Sequence, residues 1–357
     1  MQEKGIISTN QFIWMLFIII TSVTVMQAPL LLINIAGRDA WLSVIGGWVL
    51  DVLLALVYAY MGIRFPGQNF VQYSITILGK YLGRIIGIMF PLFFLLVSIL
   101  LQSALVQLIN TVLLQQTPMV VLLSITFILS AYAVRGGIET VARASQFVGP
   151  IYILFIIFIG LSSISEVNID FFKPQLEHGF YPFMIGSPFM LSFYGICIMM
   201  AMFIPICNRP EDGFLAKFTA VSMGAFFVGI VVVVAISIFG LEYAQRAYAP
   251  VYQITSLIPV RAEAVWLIVI ISAGIMSTAM MIWAFSLGVS QIFGLRTYKP
   301  LVIPISLISV MICWVSFRNN IKLMNFVNYT FPVIAVLVEG ILEIFLFVVA
   351  LALKKRG

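Results

Sequence analysis

The chain consists of apolar runs of about 20 residues that repeat along almost its whole length. Residues 92–101 and 226–239 are typical, since each run holds one serine and no charged side chain. Side chains that are apolar on every face of a helix require lipid as the solvent. Charged residues make up only 9% of the chain, against about 25% in soluble domains. Because barrel strands are shorter, about 10 residues, and alternate, the runs predict an all-α integral membrane protein.

Charged and turn residues divide the chain into ten predicted spans within one polytopic membrane domain. The expected halves are residues 11–165 and 182–353, with five spans in each. The spans are predicted at residues 11–36, 40–62, 83–114, 119–134, 147–165, 182–206, 217–240, 264–293, 300–316 and 329–353.

The basic residues predict the orientation of the chain in the bilayer. An even number of spans places both termini on one side, and with that side in the cytoplasm 13 of the 19 Lys and Arg residues fall there, Lys217 among them. We therefore expect both termini in the cytoplasm. The longest loops on the opposite side, 166–181 and 241–263, are candidate lids or docking surfaces.

The sequence contains no recognisable motif for an enzyme active site or a cofactor site. Cys197, Cys207 and Cys313 lie far apart without metal-like spacing, so we expect neither a metal nor another cofactor. The net charge of +6 arises from loops that face the bilayer surface, and it does not indicate a nucleic-acid partner.

Helix-breaking residues occur in the first and sixth predicted spans. The first carries a polar cluster of Thr21, Ser22, Thr24 and Gln27 ahead of Pro29, which favours either local unwinding or a simple proline kink. The sixth holds glycines, serines and a proline, up to Tyr194 and Gly195. Breaks five spans apart are typical of a 5+5 inverted repeat, which binds its substrate at the midplane between them.

Two further spans carry candidate contacts. Ser103, Gln107 and Asn110 form one stripe on the third span, either for helix contacts or for a ligand. In the eighth span small residues favour close packing, and Trp283 is a possible stacking surface for a ligand.

The ionisable residues deep inside the predicted spans are Asp51, Glu339 and Glu343. Each is a candidate proton or cation site. Glu339 and Glu343 are one helical turn apart, so the alternative is a pair that faces partner subunits or a hydrated crevice.

Several segments together resemble the endospore germination permease family, the B subunits of spore germinant receptors, within the amino acid/polyamine/organocation transporter superfamily. The resemblance covers nearly the whole chain. It rests on Thr117-Pro118, residues 136–143 (GGIETVAR), Lys173-Pro174 followed by Gly179 and Pro182, Pro250, Arg261 with Glu263, and Phe293-Gly294-Leu295.

The resemblance implies a ten-helix amino-acid-transporter fold with broken first and sixth helices. It also implies a location in the spore inner membrane beside A and C subunits. Two departures concern the site: Ser22-Val23-Thr24 stands where relatives often have glycines, and no acidic residue follows Gly195. The resemblance and the positions of the helix breaks together give a set of expected ligand-binding residues. They are Thr21, Ser22, Val23, Thr24, Gln107, Tyr194, Gly195 and Trp283.

Three functions remain open from the sequence. The first is a receptor subunit that binds a small nutrient germinant, with an amino acid as the expected class, and triggers germination. The second is an autonomous proton- or sodium-coupled amino-acid transporter, with Asp51, Glu339 or Glu343 in the coupling site. The third is a structural or channel subunit without a ligand of its own.

Overall fold

The computed structural model describes residues 5–177, 179–247, 249–257 and 262–357. Lys4 and Arg261, which entered the sequence arguments, lie outside the described residues. The described chain forms ten long helices, numbered here as spans 1 to 10. Their bounds are Thr9–Ala36, Ala40–Arg64, Lys80–Val112, Met119–Arg135, Ile138–Ser162, Tyr181–Ile206, Gly213–Phe239, Ala262–Phe293, Lys299–Ser316 and Asn320–Ala352.

In the described chain, eight helical stretches are long enough and apolar enough to cross a bilayer. One of these, Gln27–Arg64, combines the end of span 1 with all of span 2, and Thr9–Val25 and Met119–Arg135 are shorter apolar helices. Together these stretches cover the ten predicted spans. Shorter helices, Phe70–Leu78, Leu241–Ala244 and Pro250–Ser256, lie between the spans.

Span 1 is helical without a gap, which corrects the predicted unwinding around Thr21 and Ser22. The hydroxyl of Thr21 donates to the Phe17 carbonyl at 2.8 Å, and that of Ser22 to the Ile19 carbonyl at 3.1 Å. Such bonds back onto the preceding turn are compatible with a continuous helix. Pro29 removes one backbone bond without ending the helix.

Spans 6 and 10 are irregular. Span 6 is α-helical to Tyr194, tightens into a 3₁₀ turn over Gly195–Met199, and resumes at Met200. The interruption predicted for the outer half of span 6 is present only from Gly195 onward, as this 3₁₀ turn, because Gly186, Ser187 and Pro188 lie within regular α-helix. Span 10 contains two wide π-helical stretches, Phe326–Thr330 and Val336–Leu342. Such turns are rare and often occur at functional sites.

Both ends of the described chain lie on the same face of the bundle. The Ile7 amide donates to the Ile206 carbonyl at 2.9 Å, where span 6 ends, and the Gly357 amide donates to the Arg64 carbonyl at 3.2 Å, where span 2 ends. On the opposite face Arg38 pairs with Glu177 at 3.2 Å. The loop before span 6 is thereby fastened to the start of span 2.

Spans 2 and 6 approach closely through small residues. A Cβ atom at Gly46 or Gly47 would overlap Ser187 or Met190, and one at Gly186 would overlap Ser43. Glycine at such contacts lets two helix backbones come close together within a bilayer. This contact packs the first third of span 2 against the α-helical part of span 6 that precedes Gly195.

Candidate functional site

A small cavity lies between spans 1, 3, 6 and 10, at the centre of the bundle. Among the described residues that line it, only Gln27 is polar. The lining consists of Val23, Gln27, Val97, Leu100, Leu101, Ala104, Phe193, Val327 and Phe331. An apolar cleft with few polar groups is the usual form of a small-molecule site.

The cavity is nearly closed by aromatic side chains. Phe331 packs edge-on against Phe193, with ring centroids 5.6 Å apart, and stacks on Phe93 at 6.2 Å. The remaining volume is about 10 Å³, measured as room for the centre of a water molecule. Since that is about the minimum for a single water, a nutrient molecule requires the aromatic side chains or the helices to move apart.

The residues predicted on span 1 have different surroundings. Val23 lines the cavity. The Ser22 hydroxyl lies 2.7 Å from that of Ser277 on span 8, and the Thr21 carbonyl accepts a hydrogen bond from Tyr152 at 3.4 Å. Thr24 is fully buried, and its hydroxyl has no hydrogen-bond partner among the described residues. The Thr24 hydroxyl could therefore bond to a ligand without breaking an existing hydrogen bond.

The other predicted ligand residues are spread through the bundle rather than gathered at the cavity. The Gln107 amide donates to the Phe317 carbonyl at 2.7 Å. This bond favours a structural contact over a ligand contact for the polar stripe on span 3. Trp283 stacks on Phe203 with ring centroids 5.7 Å apart. Tyr194 is fully buried, and its hydroxyl has no hydrogen-bond partner.

Gly195 contacts a carboxylate that comes from span 10. Its backbone angles are ordinary for a helix, with φ −62°, but a Cβ atom there would overlap the Glu339 side chain. Glu339 is fully buried, and within the described part of the chain neither of its carboxylate oxygens has a hydrogen-bond partner. A carboxylate therefore lies beside Gly195, although no acidic residue follows Gly195 in the sequence.

A buried ion pair lies beside this contact. Lys217 Nζ, on span 7, is 2.8 Å from Asp51 Oδ1, on span 2, and both side chains are fully buried. The Lys217 ammonium also lies over the Tyr58 ring, 4.5 Å from its centroid. Counting Lys217 among the loop cations was wrong, because span 7 begins at Gly213 and carries Lys217 into the bundle.

Two tyrosines bond to span 10, and one of them, Tyr58, also contacts the ion pair. The Tyr58 hydroxyl donates to the Glu339 carbonyl, and the Tyr73 hydroxyl donates to Glu343 Oε1 at 2.7 Å. Glu343 is fully buried, so the two glutamates do not face a hydrated crevice in this conformation. From the sequence only the two glutamates were considered together; in the structure Asp51, Glu339 and Glu343 belong to one cluster between spans 2, 6, 7 and 10.

The sequence reasoning placed Gln27 in the polar cluster of span 1, but it missed Lys217 and the aromatic residues Phe193 and Phe331 as functional candidates. Lys217 had a usable signal, because a lysine at the edge of an apolar run can lie inside the bundle as easily as outside it. The aromatic residues had none, since phenylalanine is abundant throughout the chain.

Comparison with solved structures identifies the fold. The structure of Mhp1, a nucleobase-cation-symport-1 family transporter in a closed conformation with bromovinylhydantoin bound, matches with a TM-score of 0.69. It is 15% identical and the match covers 94% of this chain and 77% of Mhp1. A substrate-bound, outward-open Na⁺-coupled sialic acid symporter matches with a TM-score of 0.72 at 13% identity, over 94% and 78% of the two chains. The predicted 5+5 transporter fold is confirmed.

Comparison of sequences identifies the family. Residues 6–321 match the spore permease family model, described as spore germination protein. Spore germination protein KB of Bacillus subtilis (strain 168) is 26% identical, over 99% of this chain and 97% of the relative. Spore germination protein YndE of the same organism is 24% identical, over 89% and 88%. The chain belongs to the spore germination protein family of membrane permeases.

Proposed function

We propose that this protein is the permease-like B subunit of a spore germinant receptor and that it binds a small nutrient germinant, with an amino acid as the leading class, in the central cavity. The observation that carries the proposal is the position of the cavity, between spans 1, 3, 6 and 10 and directly beside the break in span 6. Family membership and the transporter fold support it. Its partners would be the receptor A and C subunits in the spore inner membrane, with both termini in the cytoplasm.

Ligand binding would act on this protein as a population shift. The cavity is too small for an amino acid when closed, so the ligand binds a more open conformation and raises its population. The size of the shift is limited by the difference in affinity between the two conformations. Neighbouring subunits would sense the change through the spans that move.

The first prediction concerns ligand-dependent stabilisation. We expect one member of a panel of amino acids, sugars and nucleosides to raise the Tm of the purified full-length protein in detergent. Gln27→Leu should abolish that rise, because Gln27 is the one polar side chain in the cavity lining. Differential scanning fluorimetry against the panel measures both effects.

Gln102→Leu is the matched control, because it makes the same substitution away from the cavity. The Gln102 amide donates to the Thr278 hydroxyl at 2.8 Å, so this variant should lower the starting Tm and keep the ligand-dependent rise. A Tm that no compound changes would contradict the proposal and favour a subunit without its own ligand.

The second prediction separates a ligand-binding hydroxyl from a structural one. Thr24→Val removes a buried hydroxyl that has no partner, so it should leave the ligand-free protein as stable or more stable by about 1 kcal/mol. If Thr24 binds the ligand, the same variant loses most of the ligand-dependent rise in Tm. A full rise in Thr24→Val would exclude Thr24 from the ligand site.

Autonomous ion-coupled transport is the second candidate, and the buried carboxyl cluster favours it. The purified protein in liposomes, without A or C subunits, would then accumulate the stabilising compound under a proton or sodium gradient. Binding without accumulation would support the receptor function alone.

A further inference from the structure

The cluster between spans 2, 6, 7 and 10 holds an unbalanced set of charges. Asp51 and Lys217 cancel one another at 2.8 Å. Glu339 and Glu343 would add two negative charges if both were ionised, and both are fully buried. A buried, uncompensated carboxylate is costly enough that such a group binds a proton instead.

Glu339 is the less compensated of the two. Glu343 accepts a hydrogen bond from Tyr73, whereas neither carboxylate oxygen of Glu339 has a hydrogen-bond partner among the residues that the structure describes. The Tyr58 hydroxyl donates to the backbone carbonyl of Glu339, not to its carboxylate. The nearest cation, Lys217, already pairs with Asp51.

We propose that the Glu339 carboxyl group is a proton-binding site, and that the bound proton holds span 10 against the break in span 6. The groups around it from every adjoining span are Asp51 and Tyr58 on span 2, Tyr194 and Cys197 on span 6, Lys217 on span 7, Tyr73 on the helix before span 3, and Glu343 on span 10. Lys217 is the only cation in this set, and no carboxylate faces Glu339 from span 6.

The position of Glu339 connects proton binding to the conformation of the bundle. The side chain lies directly on Gly195, within the wide π-helical turn Val336–Leu342. Loss of the proton leaves an anion without a partner at this contact, so the carboxylate moves toward water and span 10 separates from span 6. Proton binding at Glu339 does not require a nutrient ligand. Any effect of the proton on nutrient binding beside Phe193 and Phe331 rests on the proposed function.

The test is the pH dependence of stability in the absence of any nutrient. The closed state binds one more proton than the open or unfolded state, so its stability falls as pH rises, by up to about tenfold in the equilibrium constant per pH unit. We expect the Tm of the wild-type protein in detergent to fall between pH 6 and pH 8.5. Glu339→Gln, which stays neutral at every pH, should reduce that fall by half or more.

Glu242→Gln is the matched control, since Glu242 is exposed on the short helix after span 7 and its replacement should leave the wild-type pH profile intact. Equal slopes for wild type and Glu339→Gln would overturn the proposal. A sodium-dependent rise in wild-type Tm at pH 8.5, measured against choline at equal ionic strength, would also overturn it, because the site would then hold Na⁺.

A spectroscopic measurement covers the case in which Glu339→Gln fails to fold. The infrared difference spectrum of wild-type protein between pH 6 and pH 8.5 should lose the C=O stretch of a buried carboxylic acid as pH rises. A spectrum without that band would overturn the proposal. If the variant does fold, loss of the band in Glu339→Gln and its retention in Glu343→Gln assigns the proton to Glu339.

Discussion

Lys217→Met is expected to destabilise the protein by about 3–5 kcal/mol, the cost of leaving one member of a buried ion pair without its partner. Lys217 and Asp51 are both fully buried, with their charged atoms 2.8 Å apart. Methionine occupies a similar volume but leaves the Asp51 carboxylate uncompensated in a fully buried site. It also removes the cation from the Tyr58 ring. Thermal unfolding in detergent, or the yield of monodisperse protein at a fixed temperature, measures the loss.

The double variant Asp51→Leu with Lys217→Met distinguishes loss of the charge balance from loss of packing. Replacing both members of a buried pair by apolar residues is often neutral or stabilising. We therefore expect the double variant to regain most of the stability lost by Lys217→Met. Lys80→Met, at an exposed lysine, should change stability by less than about 0.5 kcal/mol. A Lys217→Met protein as stable as wild type would contradict the buried pair.

Gly195→Ala is expected to destabilise the protein by about 1–3 kcal/mol, because the added methyl group overpacks the contact between spans 6 and 10. A Cβ atom there would overlap the Glu339 carboxylate. The φ of Gly195 is compatible with alanine, so the backbone is not the cause of the loss. Thermal unfolding of the Gly195→Ala variant measures this loss of stability.

Two further variants test the cause. Glu339→Ala removes the group that the new methyl meets, so Gly195→Ala should cost less in that background than in wild type. Gly340→Ala is the matched control, since a Cβ atom at Gly340 has no neighbour within 4 Å, and alanine there should be neutral or stabilising by up to about 1 kcal/mol. Equal costs of Gly195→Ala with and without Glu339 would refute the contact.

The positions of the ten helices were largely predictable from the sequence. Apolar runs of membrane length leave little choice, because every backbone polar group in lipid must be bonded within its own helix. The difference at span 5, which begins at Ile138 rather than near residue 147, arises because a helix continues past the bilayer surface where hydropathy no longer marks it.

The outcome at the two helix breaks was mixed. In span 6 a glycine coincides with the 3₁₀ turn, and the break at Gly195 is present. In span 1 the hydroxyls of Thr21 and Ser22 bond back to their own helix, so the same kind of polar cluster leaves the helix continuous. A list of polar residues does not distinguish these outcomes, because each depends on which acceptor lies nearest in three dimensions.

The sequence by itself determined the solvent, the number of helices and the family of this protein, because these follow from local composition and from motifs within short segments. Only the tertiary structure decided which groups share a site. Lys217 meets Asp51, and Glu339 meets Gly195, across more than 140 residues of chain in each case. Such pairings depend on how the helices pack side by side, and a hydropathy pattern, which repeats within each helix, carries no information about its neighbours.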